Sequence, residues 1–214
     1  KVYGPTGIGV LYGKEKHLKA MPPFRGGGSM IQEVFKDRFT SASLPEKFEA
    51  GTPPIAEACG LHAALDFLEK VGWKKLEKHE RELLRYALEK LKEFPMIEIL
   101  GPQDPKKIAS CISFVTCNED LPENISMKFL PSNPEGLSRA EERMPVIHPH
   151  DLTEYLGRKG VCLRAGHHCC QPLHETLGHA ATTRLSVGIY NTKEDIDRMC
   201  EVLEEAFTFF LGTT

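Results

Sequence analysis

Two runs of helical periodicity meet at a single glycine, and the rest of the chain must be arranged around them. Between Ala56 and Val71, residues Ala56, Leu61, Ala64, Leu65 and Leu68 recur at the spacing of one apolar helix face. Gly72 breaks that helix. A second, strongly amphipathic pattern runs from Trp73 to Phe94, with Leu76, Leu83, Leu84, Ala87, Leu88 and Leu91 on one side. An amphipathic helix must bury its stripe against another layer, so the pair predicts an antiparallel helical joint between two layers.

The flanking segments are of a different kind. Gly7 to Gly13, GIGVLYG, reads as a buried strand entered through a Gly/Pro turn. A strand of that kind seldom opens a fold, which predicts that the chain is a piece of a longer protein. Pro22 to Met30 contains three successive glycines that permit close backbone approach. The stretch from Phe35 to Thr52 is turn-rich and reads as irregular. Beyond the helices, Ile97–Leu100 and Cys111–Thr116 read as strands separated by the turn GPQDPKK. Residues 118–149 hold several prolines and charges without a period, and predict an exposed insertion. Asp151 is the expected N-cap of a helix through Arg158, closed by Gly160. Strands are expected over Val161–Arg164 and Thr183–Ile189. A last helix is expected from Glu194 to Leu211, capped by Asn191 or Thr192. The reading divides the chain into residues 1–72 and an α+β domain over residues 73–214.

Hydrophobic residues make up 41% of the 214, enough for a true core, and the formal net charge of −3 argues against nucleic acid or an anionic membrane as the main partner. The seven cysteines follow no framework spacing, so free thiols in a reducing, cytoplasmic setting are expected.

The densest polar cluster is RAGHHCCQPLHETLGH, Arg164 to His179. A cysteine flanked by imidazoles and near an arginine occupies an electropositive place suited to a nucleophile. Gly166 and Pro172 bracket the segment and predict a loop. The competing reading makes Cys169 and Cys170 inert buried thiols. A zinc reading through His167, His168, Cys169, Cys170, His174 and His179 is disfavoured by spacing, because neighbouring residues point in different directions. Arg184 lies on an apolar strand, where a guanidinium needs an anion: a substrate carboxylate or a structural Asp or Glu.

In series, KVYGPTGIGVLYG, GGGSM, KFEAGTP, RAGHHC and TTRLSVGIYNT resemble the class II, SufS-type cysteine desulfurases, with the related selenocysteine lyases sharing much of the pattern. The resemblance implies an α/β with α+β fold: the C-terminal part of a large domain of PLP fold type I, aminotransferase-like (class V), followed by a small C-terminal α+β domain. It implies pyridoxal 5'-phosphate as cofactor, with Lys1 as its Schiff-base residue and proton shuttle. Cys169 is implied to take sulfur from L-cysteine as a persulfide, releasing L-alanine for iron–sulfur cluster assembly, and Arg184 to grip the substrate carboxylate. Thr52 is implied to reach the phosphate of the neighbouring subunit's cofactor, which makes the protein a homodimer. Cys170 stands where the family often has alanine, and is read as a bystander. His150, in HPHD, resembles members that pass sulfur to a zinc-bearing SufU-type acceptor, where that histidine takes a ligand position on the partner's zinc; a SufE-type acceptor is the other expectation. The family's N-terminal half has no counterpart here, so a non-catalytic folded fragment is the alternative, alongside a selenocysteine lyase.

Overall fold

The computed structural model describes residues 2–117 and 146–212. They form two compact units that divide between Trp73 and Lys74.

The first unit carries α1 (Glu15–Ala20), the hairpin strands β1 (Ile31–Val34) and β2 (Phe39–Ser41), a 3-10 turn at Glu46–Phe48, and α2 (Ile55–Val71). Of the segment from Phe35 to Thr52 expected to be irregular, only β2 is a strand, and the rest is turn-rich as expected. The hairpin's turn is closed by Phe35 N–H donating to Arg38 O at 2.8 Å. Gly60 lets the N-terminal segment lie against α2, since a Cβ there would stand 2.9 Å from Pro5 Cγ. Residues 8–13 do not form the expected buried strand: Val10, Leu11 and Tyr12 are 80%, 71% and 89% exposed. A strand needs a neighbour for its ladder. The strands described in this unit, β1 and β2, pair only with each other.

The second unit is built on a four-stranded antiparallel sheet of order β3-β4-β6-β5, made of β3 (Ile97–Leu100), β4 (Cys111–Thr116), β5 (Arg164–Gly166) and β6 (Thr182–Ser186). Helices α3 (Trp73–Leu91), α4 (Pro149–Arg158) and α6 (Lys193–Leu211) supply the rest of the core. Of the apolar face predicted from periodicity in α3, Leu76 is half-buried, while Leu83, Leu84, Ala87, Leu88 and Leu91 are buried. They pack with Ile112 and Phe114 of β4, Leu152 and Leu156 of α4, Leu185 of β6, and Met199, Val202 and Leu203 of α6. Thr192 and Asp195 close α6 with a reciprocal capping box.

Three local expectations give way here. Helix α4 starts at Pro149 and is capped by His148, whose Nδ1 accepts from His150 N–H at 3.3 Å, because proline at the first helical position fixes the entry ahead of Asp151. Residues 146–149 are not exposed insertion: Ile147 is in the core, tied to Thr116 Oγ1 by 2.9 and 3.0 Å hydrogen bonds. Residues 118–145 of that predicted insertion lie outside the described residues. Finally, Gln171–Leu177 is a helix, α5, inside the expected loop; Pro172 fits its first turn and Gly178, at φ +76°, ends it.

Candidate active site

Strands β5 and β6 set the frame. Their register places Arg164 opposite Arg184, Ala165 opposite Thr183, and Gly166 opposite Thr182. Directly opposed residues share a face, so Arg164, Gly166, Thr182 and Arg184 line one side of this ribbon while Leu185 faces the core. Two guanidiniums opposite each other repel unless something anionic lies between them. Arg184 has no carboxylate partner among the described residues, and its Nε is buried without a hydrogen bond. The structural Asp or Glu that the sequence left open for Arg184 is therefore absent from the described residues.

The chain leaves β5 through a tight turn. Cys170 N–H donates to His167 O at 2.9 Å, and the two residues between, His168 and Cys169, have φ of +53° and +66°. Positive φ at both central positions is the mirror-image turn that normally wants glycine or asparagine. With a β-carbon each such residue costs on the order of 1–2 kcal/mol, a strain that concentrates at working sites. The turn presents the Cys169 thiol to solvent. Arg164 Nη2 donates toward Cys169 Sγ at 3.6 Å.

Thr182 holds the turn from below. Its hydroxyl lies 2.9 Å from His168 Nε2 and 3.1 Å from His174 Nε2, and the residue is 1% exposed. The network assigns the tautomers. His174 Nδ1 is 3.1 Å from Cys170 O, which only accepts, so Nδ1 carries the hydrogen. His174 Nε2 then accepts from the threonine hydroxyl, and His168 Nε2–H donates to the same oxygen. His168 Nδ1 is left as a buried acceptor without a partner. Burial, reinforced by the charges of Arg184, His174 and Arg164, pushes the His168 pKa down to about 4. Because the unfolded ring binds a proton near its ordinary value of about 6.5, the unfolded state takes up more protons between those values. Stability from the neutral ring is therefore full above the ordinary value and is lost as pH falls toward the folded one. An NMR titration of the His168 ring should show a midpoint near 4; a midpoint at the ordinary histidine value would contradict the burial of this ring.

His150 lies beside the same turn. Its Nε2 is 3.9 Å from the place a Cβ on Gly166 would occupy, an ordinary contact, and it is the backbone at φ +111° that calls for glycine there. The His148 and His150 rings stack at 5.5 Å and both residues are exposed. The structure thus gathers Cys169, Arg184 and His150 around β5 and β6. In the first unit, Thr52 is exposed, without a hydrogen-bond partner among the described residues, and precedes α2. Gly51 N–H donates to Gly28 O at 2.8 Å, which sets Thr52 beside the triple-glycine run, where Gly26 and Gly28 have open space in place of side chains. A free hydroxyl beside bare backbone fits a phosphate group. Lys1 lies outside the described residues.

Sequence reasoning missed Thr182, and with it the reason the two histidines hold the turn. The signal was present in the alternation of TTR, which puts Thr182 and Arg184 on one face. Among the described residues no group of three or more His, Cys, Asp or Glu is placed to hold a metal, and no helix is long and apolar enough to cross a membrane.

The aminotransferase class-V family model matches residues 1–199. A probable cysteine desulfurase of Halalkalibacterium halodurans is 43% identical over 210 residues, covering 98% of this chain and 44% of that protein. The cysteine desulfurase of Haloferax volcanii is 40% identical over 210 residues, 98% of this chain and 42% of its own length. Among solved structures, the cysteine desulfurase CsdA of Escherichia coli superposes with a TM-score of 0.78 at 36% identity, over 97% of this chain and 44% of that one. The chain spans less than half the length of these relatives.

Proposed function

The chain belongs to the aminotransferase class-V family, and we propose from it that this is the sulfur-accepting part of a cysteine desulfurase. L-cysteine and the Cys169 thiol give L-alanine and a Cys169 persulfide; the carbon–sulfur bond of the substrate breaks, and a sulfur–sulfur bond to Cys169 forms. The observation that carries the reading is the exposed Cys169 thiol on a strained turn, 3.6 Å from Nη2 of Arg164, whose strand partner Arg184 has no carboxylate partner among the described residues.

The family and the cysteine desulfurases it matches imply pyridoxal phosphate. When bound, that group supplies the electron sink for breaking bonds at the substrate's carbons. The remaining work falls to the chain's own groups. Lys1 would hold the cofactor and move the proton at the substrate Cα through Nζ. Thr52 would bind phosphate across a homodimer. Arg184 would hold the substrate carboxylate in the fork of its guanidinium. Arg164 steadies charge on the Cys169 sulfur during transfer. The persulfide then passes to an acceptor protein of SufU or SufE type for iron–sulfur cluster assembly in the cytoplasm. His150, exposed beside the cysteine turn, would offer an imidazole to an acceptor's zinc.

The test is to give protein that has taken up pyridoxal phosphate L-cysteine, then measure alanine and map persulfide by mass spectrometry. One alanine per Cys169 persulfide is expected; alanine formed with Cys169 unmodified sinks the reading. Failure to take up the cofactor at all would favour a second reading, a non-catalytic folded segment. Faster alanine release from selenocysteine would favour a selenocysteine lyase.

A further inference from the structure

The turn that presents Cys169 ends on a second thiol, and no step proposed above uses it. Cys170 is half-buried, and its Sγ donates to His167 O at 3.0 Å, so the thiol is parked beneath the turn while Cys169 points outward toward Arg164. His174 Nδ1, which carries a hydrogen in the network above, lies 3.1 Å from Cys170 O and 3.8 Å from Cys170 Sγ. An N–H shared between that carbonyl and the sulfur is placed to steady a thiolate once the thiol proton has gone to water. His174 is 5% exposed and is fixed from the other side by Thr182, so the donor cannot swing away.

We propose that Cys170 is a resolving thiol for Cys169: it discharges sulfur that no acceptor collects, releasing it as hydrosulfide and closing a Cys169–Cys170 disulfide. The inference rests on Cys169 carrying an outer sulfur, as argued under the proposed function. The Cys170 thiolate attacks Cys169 Sγ. The bond between Cys169 Sγ and the outer sulfur breaks, and the outer sulfur, still carrying its own hydrogen, leaves with the electron pair as hydrosulfide, while the proton that Cys170 gave up stays in the solvent. The outer sulfur is reduced to sulfide while the two cysteine sulfurs are oxidised to a disulfide, so no external oxidant enters. To reach Cys169 Sγ, Cys170 must give up the His167 O contact and the peptide between the two cysteines must twist, since neighbouring Cα atoms stand only about 3.8 Å apart. That separation is below the roughly 4.4 Å where ordinary disulfides begin, so the bond is strained and easily reduced. A small-molecule thiol would restore both cysteines, making the device reversible.

The experiment loads the chain with outer sulfur from sodium polysulfide, which needs neither cofactor nor desulfurase activity, so failure here and failure of the desulfurase reading are told apart. After excess reagent is removed, hydrosulfide release is followed and the peptide spanning the turn is mapped by mass spectrometry. The wild-type chain should release hydrosulfide and yield a Cys169–Cys170 disulfide that a reductant reverses. Cys170→Ala should retain the Cys169 persulfide, with release at least about tenfold slower. Cys170→Ser, which keeps a polar donor to His167 O, should behave like Cys170→Ala, and circular dichroism of both variants checks that the turn's domain stays folded. Equal release from wild type and both variants overturns the proposal, as does outer sulfur moving onto Cys170 without hydrosulfide release.

Discussion

Replacing Cys169 by serine is expected to lower persulfide formation from L-cysteine by at least about 10³-fold while leaving cofactor uptake intact. The reason is chemical rather than steric. Serine fits the same turn and presents an oxygen toward Arg164 Nη2, which now stands 3.6 Å from the sulfur. A hydroxyl, however, ionises far less readily than a thiol and forms no stable bond to sulfur of the persulfide kind. The residue is exposed and outside the core, so the fold should not suffer. The check is persulfide mapping alongside cofactor absorbance on the same preparation. Persulfide accumulating on another cysteine of Cys169→Ser would mean that the thiol named here is not the acceptor.

Phe114→Ala is the second large effect, and it acts on the scaffold. Phe114 is fully buried at the centre of β4, packed within the cluster that joins the sheet to α3, α4 and α6. Removing its ring leaves a cavity that rigid neighbours only partly fill, at a cost of about 3–5 kcal/mol. In a chain of this size that lowers the melting temperature by about 2–4 °C for each kcal/mol. Denaturant unfolding should show a lower midpoint with an unchanged slope, because the surface exposed on unfolding barely alters. A loss of less than about 1 kcal/mol would show that the site relaxes and that the sheet and helices are not coupled through this ring. Phe114 also pairs with Thr183 on the strand that carries Thr182 and Arg184, so the same variant should broaden the His168 signals if the cysteine turn depends on the sheet beneath it.

Much of the fold was legible because periodicity records burial. The strands at Ile97–Leu100 and Cys111–Thr116 occur where alternation and turn residues place them, and α2 and α3 lie on either side of Gly72. The residue types around Cys169 were legible too, since RAGHHC carries them in one short run. Signals failed where the outcome depends on neighbours. The run GIGVLYG has strand composition, yet composition supplies no partner strand, and Val10, Leu11 and Tyr12 are exposed. Asp151 has the chemistry of a cap, yet Pro149 fixed the helix entry two residues earlier.

By itself, then, the sequence determined which segments are amphipathic, and which residue types stand next to Cys169, because both are properties of short stretches of chain. The tertiary structure alone decided that β5 lies beside β6 in the register that opposes Arg164 and Arg184, and that Thr182 ties His168 to His174. Those pairings join residues 8 to 20 positions apart through a sheet edge and a buried hydroxyl. Their physical basis is the hydrogen-bond ladder and the need of each buried polar group for a partner, and neither can be counted until the strands have met.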